Sequence, residues 1–90
     1  MTATLHIYGQ YAQQSDLHIA GDMSALVKLK DAIEEALTTG KSSIDVFQND
    51  GEGYTVYVNC LSEEVMDRLS TSYSYEYAQD YRTLYPWNLS

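Results

Sequence analysis

The stretch from Asp22 to Gly40, DMSALVKLKDAIEEALTTG, constrains this chain more than any other. At 3.6 residues per turn it forms one amphipathic helix, about 25 Å long at 1.5 Å per residue. Leu26, Leu29, Ile33 and Leu37 share a stripe, with Ala25, Ala32 and Ala36 beside it. Ser24, Lys28, Asp31, Glu34, Glu35 and Thr38 fill the rest of the circumference, and Val27 falls off the stripe onto the surface. The pattern predicts that the leucine stripe faces a core. The alanine edge lets a backbone come close, which favours packing on a sheet. Asp22 suits the N-cap, because its carboxylate accepts from free first-turn amides. Gly40 suits the left-handed position just past the end.

The segments on either side alternate as strands do. Thr4 to Tyr8 puts Leu5 and Ile7 on one face and His6 and Tyr8 on the other. Gly9 to Ser15 is polar and reads as a hairpin loop, and Asp16 to Ala20 repeats the alternation with Leu17 and Ile19 inward. Lys41 and Ser42 read as a short link. Ser43 to Gln48 then places Ile44 and Val46 inward, opposite Asp45 and Phe47. Asn49 to Gly53, NDGEG, is a strong turn signal. Tyr54 to Cys60 carries Val56, Val58 and Cys60 inward and Thr55, Tyr57 and Asn59 outward. The expected class is α+β: a four-stranded, mainly antiparallel sheet in the order β-β-α-β-β, with one long helix on one face. Short C-terminal helices complete it. Ser62 to Leu69 is one, capped by Ser62 with Val65, Met66 and Leu69 inward. Tyr75 to Leu84 is a second, which aligns Tyr77, Tyr81 and Tyr85 four apart and stops at Pro86.

Ninety residues make one domain with a small core. Five Gly, one Pro and 44% hydrophobic residues argue against a disordered chain. No apolar run approaches 18 residues, so no membrane span is expected, and no signal peptide is visible. Cys60 is the single cysteine, which excludes an internal disulfide and agrees with a reducing, cytoplasmic setting. Thirteen acids against five basic residues give a net charge of −8. Phosphate backbones repel such a chain, so direct nucleic-acid binding is not expected. Basic proteins, typically those that handle nucleic acids, attract it.

No stretch carries a catalytic or cofactor signature. No GxSxG elbow is present. Gly51-Glu52-Gly53 lacks the Lys-Ser/Thr of a phosphate loop and is flanked by acids. His6, His18 and Asp45 share the outer sheet face, but two histidines and a carboxylate without motif spacing do not make a zinc site. The chain is therefore read as a non-enzyme without cofactor or metal. Two features remain for recognition. One is acidic: Asp50 and Glu52 on the turn, Glu63 and Glu64 on the short helix. The other is aromatic: Tyr8, Phe47 and Tyr57 on the outer sheet face, with Tyr77 and Tyr81 from a last third that also holds Tyr73, Tyr75, Tyr85 and Trp87. So many aromatics on one face need a cover. Internal packing, a homodimer or a partner protein can each supply it.

The opening HIYGQ (His6 to Gln10), the helix LxxLxxAIxxAL ending in Gly40, DGEGYTVYV (Asp50 to Val58) and the acidic Ser62 to Leu69 together resemble small immunity proteins of bacterial polymorphic toxin systems. The resemblance spans Leu5 to Tyr81 and rests on strand and helix punctuation. It implies a cytoplasmic inhibitor, or antitoxin, that binds one cognate toxin and needs no cofactor. Immunity proteins against nucleases are commonly acidic because they cover a basic substrate cleft. Asp50, Glu52, Glu63, Glu64, Tyr8, Tyr57, Tyr77 and Tyr81 are the candidate partner-binding residues. A phage anti-defence inhibitor of anti-CRISPR type shares the same physics, and a homodimeric structural module is the reading from another class.

Overall fold

The structure is a computed structural model, and it describes residues 3–9, 16–70 and 84–88. Its class is α+β. The described elements follow the order β1 (Leu5–Tyr8), β2 (His18–Gly21), α1 (Met23–Thr39), β3 (Lys41–Phe47), β4 (Gly53–Asn59) and α2 (Glu63–Arg68), with a 3-10 turn at Pro86–Asn88. The chain divides into two compact units. One comprises Met1–Ile7 with His18–Cys60, and the other Tyr8–Leu17 with Leu61–Ser90.

In the first unit, Asp22 caps α1 as the sequence predicts: its Oδ1 accepts from the Ala25 N–H at 2.8 Å. Gly40 closes the helix at φ +101°, and its N–H donates to the Ala36 carbonyl. β3 and β4 pair antiparallel, with Ile44 opposite Val56 and Asp45 opposite Thr55. β3 starts at Lys41, so the expected Lys41–Ser42 link is instead strand. Ser42 is drawn in because its hydroxyl donates to the Ala32 carbonyl on α1.

The four strands do not make one sheet. β1–β2 and β3–β4 form two separate two-stranded sheets, joined by a single parallel bridge between Thr4 and Phe47. A competing hydrogen bond explains the split. Phe47 N–H donates to the Ala3 carbonyl at 2.9 Å. Thr4 faces the other way, to the helix start: its N–H donates to Asp22 Oδ2, and its carbonyl accepts the Asp22 N–H. A continued parallel ladder would next engage Asn49, whose N–H donates instead to the His6 imidazole at 3.3 Å.

The orientation of α1 also departs from the expectation. Its buried residues are Ala25, Ala32 and Ala36. Of the expected stripe, Leu29 is half-buried, while the row Leu26, Ile33 and Leu37 is 43%, 45% and 70% exposed. That row lies about 100° around the helix from the alanine row. The physical reason is width: two strands lie about 4.8 Å apart, whereas a helix with side chains is about 10 Å across. A two-stranded sheet covers one shoulder of a helix, and the alanine shoulder allows the closer approach. The core is accordingly compact. Ala3, Leu5, Ala25 and Val46 are buried together, with Ile44, Tyr54 and Val56 packed against them. The Tyr54 hydroxyl donates to the Leu5 carbonyl, tying β4 to β1. Its partial burial pushes the phenol above its ordinary range, so it remains a donor through neutral pH.

Other inward assignments are corrected in the same way. Ile7, Leu17 and Ile19 are exposed, because α1 lies over β3 rather than over β1 and β2. Gly21 brings β2 against the helix, and a Cβ there would sit 2.9 Å from a Leu5 methyl and 3.3 Å from the Ala25 methyl. Cys60 keeps its inward parity but is exposed. Its N–H bonds to Gly40, beyond the last helical residue. In the second unit, Ser62 caps α2 by accepting from the Val65 N–H, while Met66, expected inward, is exposed. Most of the expected Gly9–Ser15 loop and of the Tyr75–Leu84 helix lies outside the described residues. Leu84 itself bridges to Leu69.

Two outcomes follow. Ala32→Leu forces α1 off the sheet and costs about 1–3 kcal/mol, whereas Leu37→Ala stays within about 0.5 kcal/mol; urea unfolding of both variants gives the comparison. Amide donors from Ala25 and then Thr4 hold the Asp22 carboxyl below its ordinary range. A depressed folded pKa stabilises the fold above the unfolded value and loses that contribution as pH falls through the folded one. Asp22→Asn keeps an acceptor for Ala25 but loses the charge. Its melting temperature therefore falls below that of the native chain at neutral pH, and the gap closes as pH drops below about 4.

Candidate protein-binding surface

The tip of the β3–β4 hairpin is built by its own backbone. Gln48 N–H donates to the Glu52 carbonyl at 2.9 Å, and Gly51 N–H donates to the Gln48 carbonyl at 3.0 Å. Asp50 Oδ1 accepts the Glu52 N–H at 3.0 Å. Asp50 thus has a local role and a displayed charge at once: one oxygen fixes the turn while the side chain stays exposed. Glu52 is exposed beside it.

Strand alternation sends Lys41, Ser43, Asp45 and Phe47 of β3 to the outer face with Gly53, Thr55, Tyr57 and Asn59 of β4. On that face the Thr55 hydroxyl donates to Asp45 Oδ1 at 2.8 Å. The Phe47 ring lies over Gly53, with its edge 3.2 Å from where a Cβ would stand. Phe47 is therefore half-buried, and Tyr57, 73% exposed, is the aromatic this face displays. Lys41 is the one cation of the hairpin against Asp45, Asp50 and Glu52.

The second unit carries the other described candidates. Glu63 and Glu64 occupy the first turn of α2 and are exposed, where the helix dipole favours them. Tyr8, at the end of β1, is exposed. Tyr77 and Tyr81 lie outside the described residues. The structure thus brings Asp50, Glu52 and Tyr57 onto one hairpin and holds Glu63, Glu64 and Tyr8 in the other unit. Trp87, absent from the sequence-based candidates, is 73% exposed and stacks on Tyr85 with ring centroids 4.7 Å apart. Asn88 locks that turn through its N–H to the Tyr85 carbonyl and its Oδ1 to the Tyr85 N–H. The sequence signal for it was the Tyr-Pro-Trp run.

His6, His18 and Asp45 do not converge: His6 reaches the turn at Asn49 and Asp45 faces Thr55. Among the described residues no group of three or more His, Cys, Asp or Glu side chains is arranged to hold a metal. The carboxylate of Asp22 and the phenol of Tyr54, both shifted from their ordinary ranges, are engaged with backbone groups: Asp22 with the Ala25 and Thr4 amides, Tyr54 with the Leu5 carbonyl. Among the described residues no helix is long and apolar enough to cross a membrane. No protein family, no curated protein and no solved structure matches the chain.

Proposed function

We propose that this chain is a protein-binding inhibitor of the immunity type, which neutralises a cognate bacterial toxin by laying the acidic tip of the β3–β4 hairpin on a basic or active-site surface. The observation that carries this reading is the pair Asp50 and Glu52, exposed on a turn that three hydrogen bonds hold fixed. A fixed turn presents charge without the ordering cost that a flexible loop meets on binding. Tyr57 on the outer face of the same hairpin supplies an aromatic anchor of the kind interfaces favour. The net charge of −8 steers the approach of a basic partner. Glu63 and Glu64 add a second acidic contact on α2. On this reading the protein acts by occupancy, without cofactor or chemistry of its own. The anti-defence reading, with a basic nucleic-acid-handling protein as target, uses the same surface.

Affinity capture with the tagged chain from its source cell tests the proposal, at low and high salt and with neutralised variants. The expected result is one basic protein, released as salt screens the contact. Asp50→Asn with Glu52→Gln keeps the turn acceptor at position 50 and weakens that capture roughly tenfold, on the order of 1.4 kcal/mol. Capture unchanged in this double variant and in Glu63→Gln with Glu64→Gln would remove the acids from the interface.

A further inference from the structure

Among the described residues, the hydrogen-bond phase of the β3–β4 hairpin leaves one strand edge open. Gln48 N–H bonds the Glu52 carbonyl at one end of the ladder, and Cys60 N–H bonds the Gly40 carbonyl at the other. Both bonds join even-numbered partners, and the register in between is continuous. Directly opposed residues of an antiparallel pair alternate between bonded and non-bonded. Tyr54, Val56 and Val58 therefore turn their backbone groups toward β3. Gly53, Thr55, Tyr57 and Asn59 turn theirs outward. The outward side of β3 obeys the same phase and is blocked: Phe47 N–H is bonded to Ala3, and the Lys28 ammonium reaches the Asp45 carbonyl at 3.5 Å. Among the described residues β4 pairs with β3 alone.

An open edge is normally guarded by charge or proline. From Gly53 to Asn59 there is neither, although the chain carries 18 charged residues (13 acidic and 5 basic). The run is also self-complementary. Turned antiparallel on itself about Val56, it sets Thr55 of one copy opposite Tyr57 of the other, Tyr54 opposite Val58, and Val56 opposite Val56. Thr55 and Tyr57, and likewise Gly53 and Asn59, then occupy hydrogen-bonded positions, which are the ones whose backbone groups face out. The two-fold axis stands perpendicular to the sheet, so the inward Tyr54, Val56 and Val58 of both copies share one face. The β2 edge lacks these properties: it is four residues long and ends at Gly21.

We infer that the β4 edge takes β4 of a second copy, joining two hairpins into a continuous four-stranded antiparallel sheet. The inference rests on the hairpin geometry and not on the identity of any toxin. Its salt dependence is opposite to that of basic-partner capture. Two copies of charge −8 repel, so salt strengthens their association.

Sedimentation equilibrium of the intact chain, from about 10 μM to about 1 mM, tests it. The expected result is a monomer–dimer equilibrium that shifts to dimer with concentration and with salt. Amide hydrogen exchange provides the matching local readout: Thr55 and Tyr57 gain protection as the dimer forms, while Val56 is protected throughout. Tyr57→Pro removes an outward N–H that the hairpin does not use and raises the dissociation constant about tenfold or more. If that variant does not fold, Thr55→Glu with Tyr57→Glu, both at exposed side chains, sets carboxylates opposite carboxylates and has the same effect. A monomer across the whole range, or a dimer indifferent to both variants, overturns the inference. Protection of Thr55 and Tyr57 amides in the monomer overturns it as well, by showing that another segment of the same chain occupies the edge.

Discussion

The close seat of α1 on the β3–β4 hairpin is the contact on which the first unit depends. Ala25, Ala32 and Ala36 face the strands, and their small side chains allow a close approach of helix and sheet. The approach is near enough for the Ser42 hydroxyl to reach the Ala32 carbonyl. Leu5 and Val46 then fill the space at the N-terminal end of the helix and are fully buried. A leucine face in the same place would hold the backbones apart and lose both the Ser42 bond and the Gly21–Ala25 approach.

The rest of the unit follows from that seat and from competition for backbone donors. Asp22 takes both the helix start and the Thr4 backbone, and the His6 imidazole takes the Asn49 N–H, where the parallel pairing of the first strand with β3 stops after a single bridge. A two-stranded sheet results, and a two-stranded sheet covers one shoulder of a helix. The exposed row of Leu26, Ile33 and Leu37 and the divided sheet are one fact seen from two sides. The hairpin, fixed by α1 beneath it, projects its turn and its outer face beyond this frame.

Much of this was legible in the sequence. Asp22 and Gly40 marked the ends of α1, Asn49 to Gly53 marked the turn, and the alternation in Ile44–Val46 and Val56–Val58 marked the face toward the helix. The exposed acids Asp50, Glu52, Glu63 and Glu64 and the outward Tyr57 were read from the same patterns. The face of α1 was legible only in part: the alanine edge was read as the side suited to a sheet, but the leucine stripe was assigned to the core. A hydrophobicity stripe ranks leucine above alanine, while the seat is decided by backbone approach, in which a small side chain wins. The sheet was not legible. Periodicity gives each strand its faces but is silent on which edges meet, and here the deciding group was the His6 imidazole. Cys60 shows the same limit: its parity pointed inward, but the helix that would cover it had already ended at Thr39. For Trp87 the sequence held the aromatic, and the local bonds of Asn88 supplied the geometry that displays it.

The orientation of α1 is the claim most directly open to measurement, through methyl-resolved nuclear Overhauser contacts in solution. The account predicts contacts from the Ala25 methyl to Leu5 and Val46, and from the Ala32 and Ala36 methyls to inward residues of the hairpin. Ile33 and Leu37 methyls are predicted to show none to Ile44, Val46 or Val56. Strong contacts from Ile33 and Leu37 to those strand residues, with the alanine methyls facing water, would contradict it.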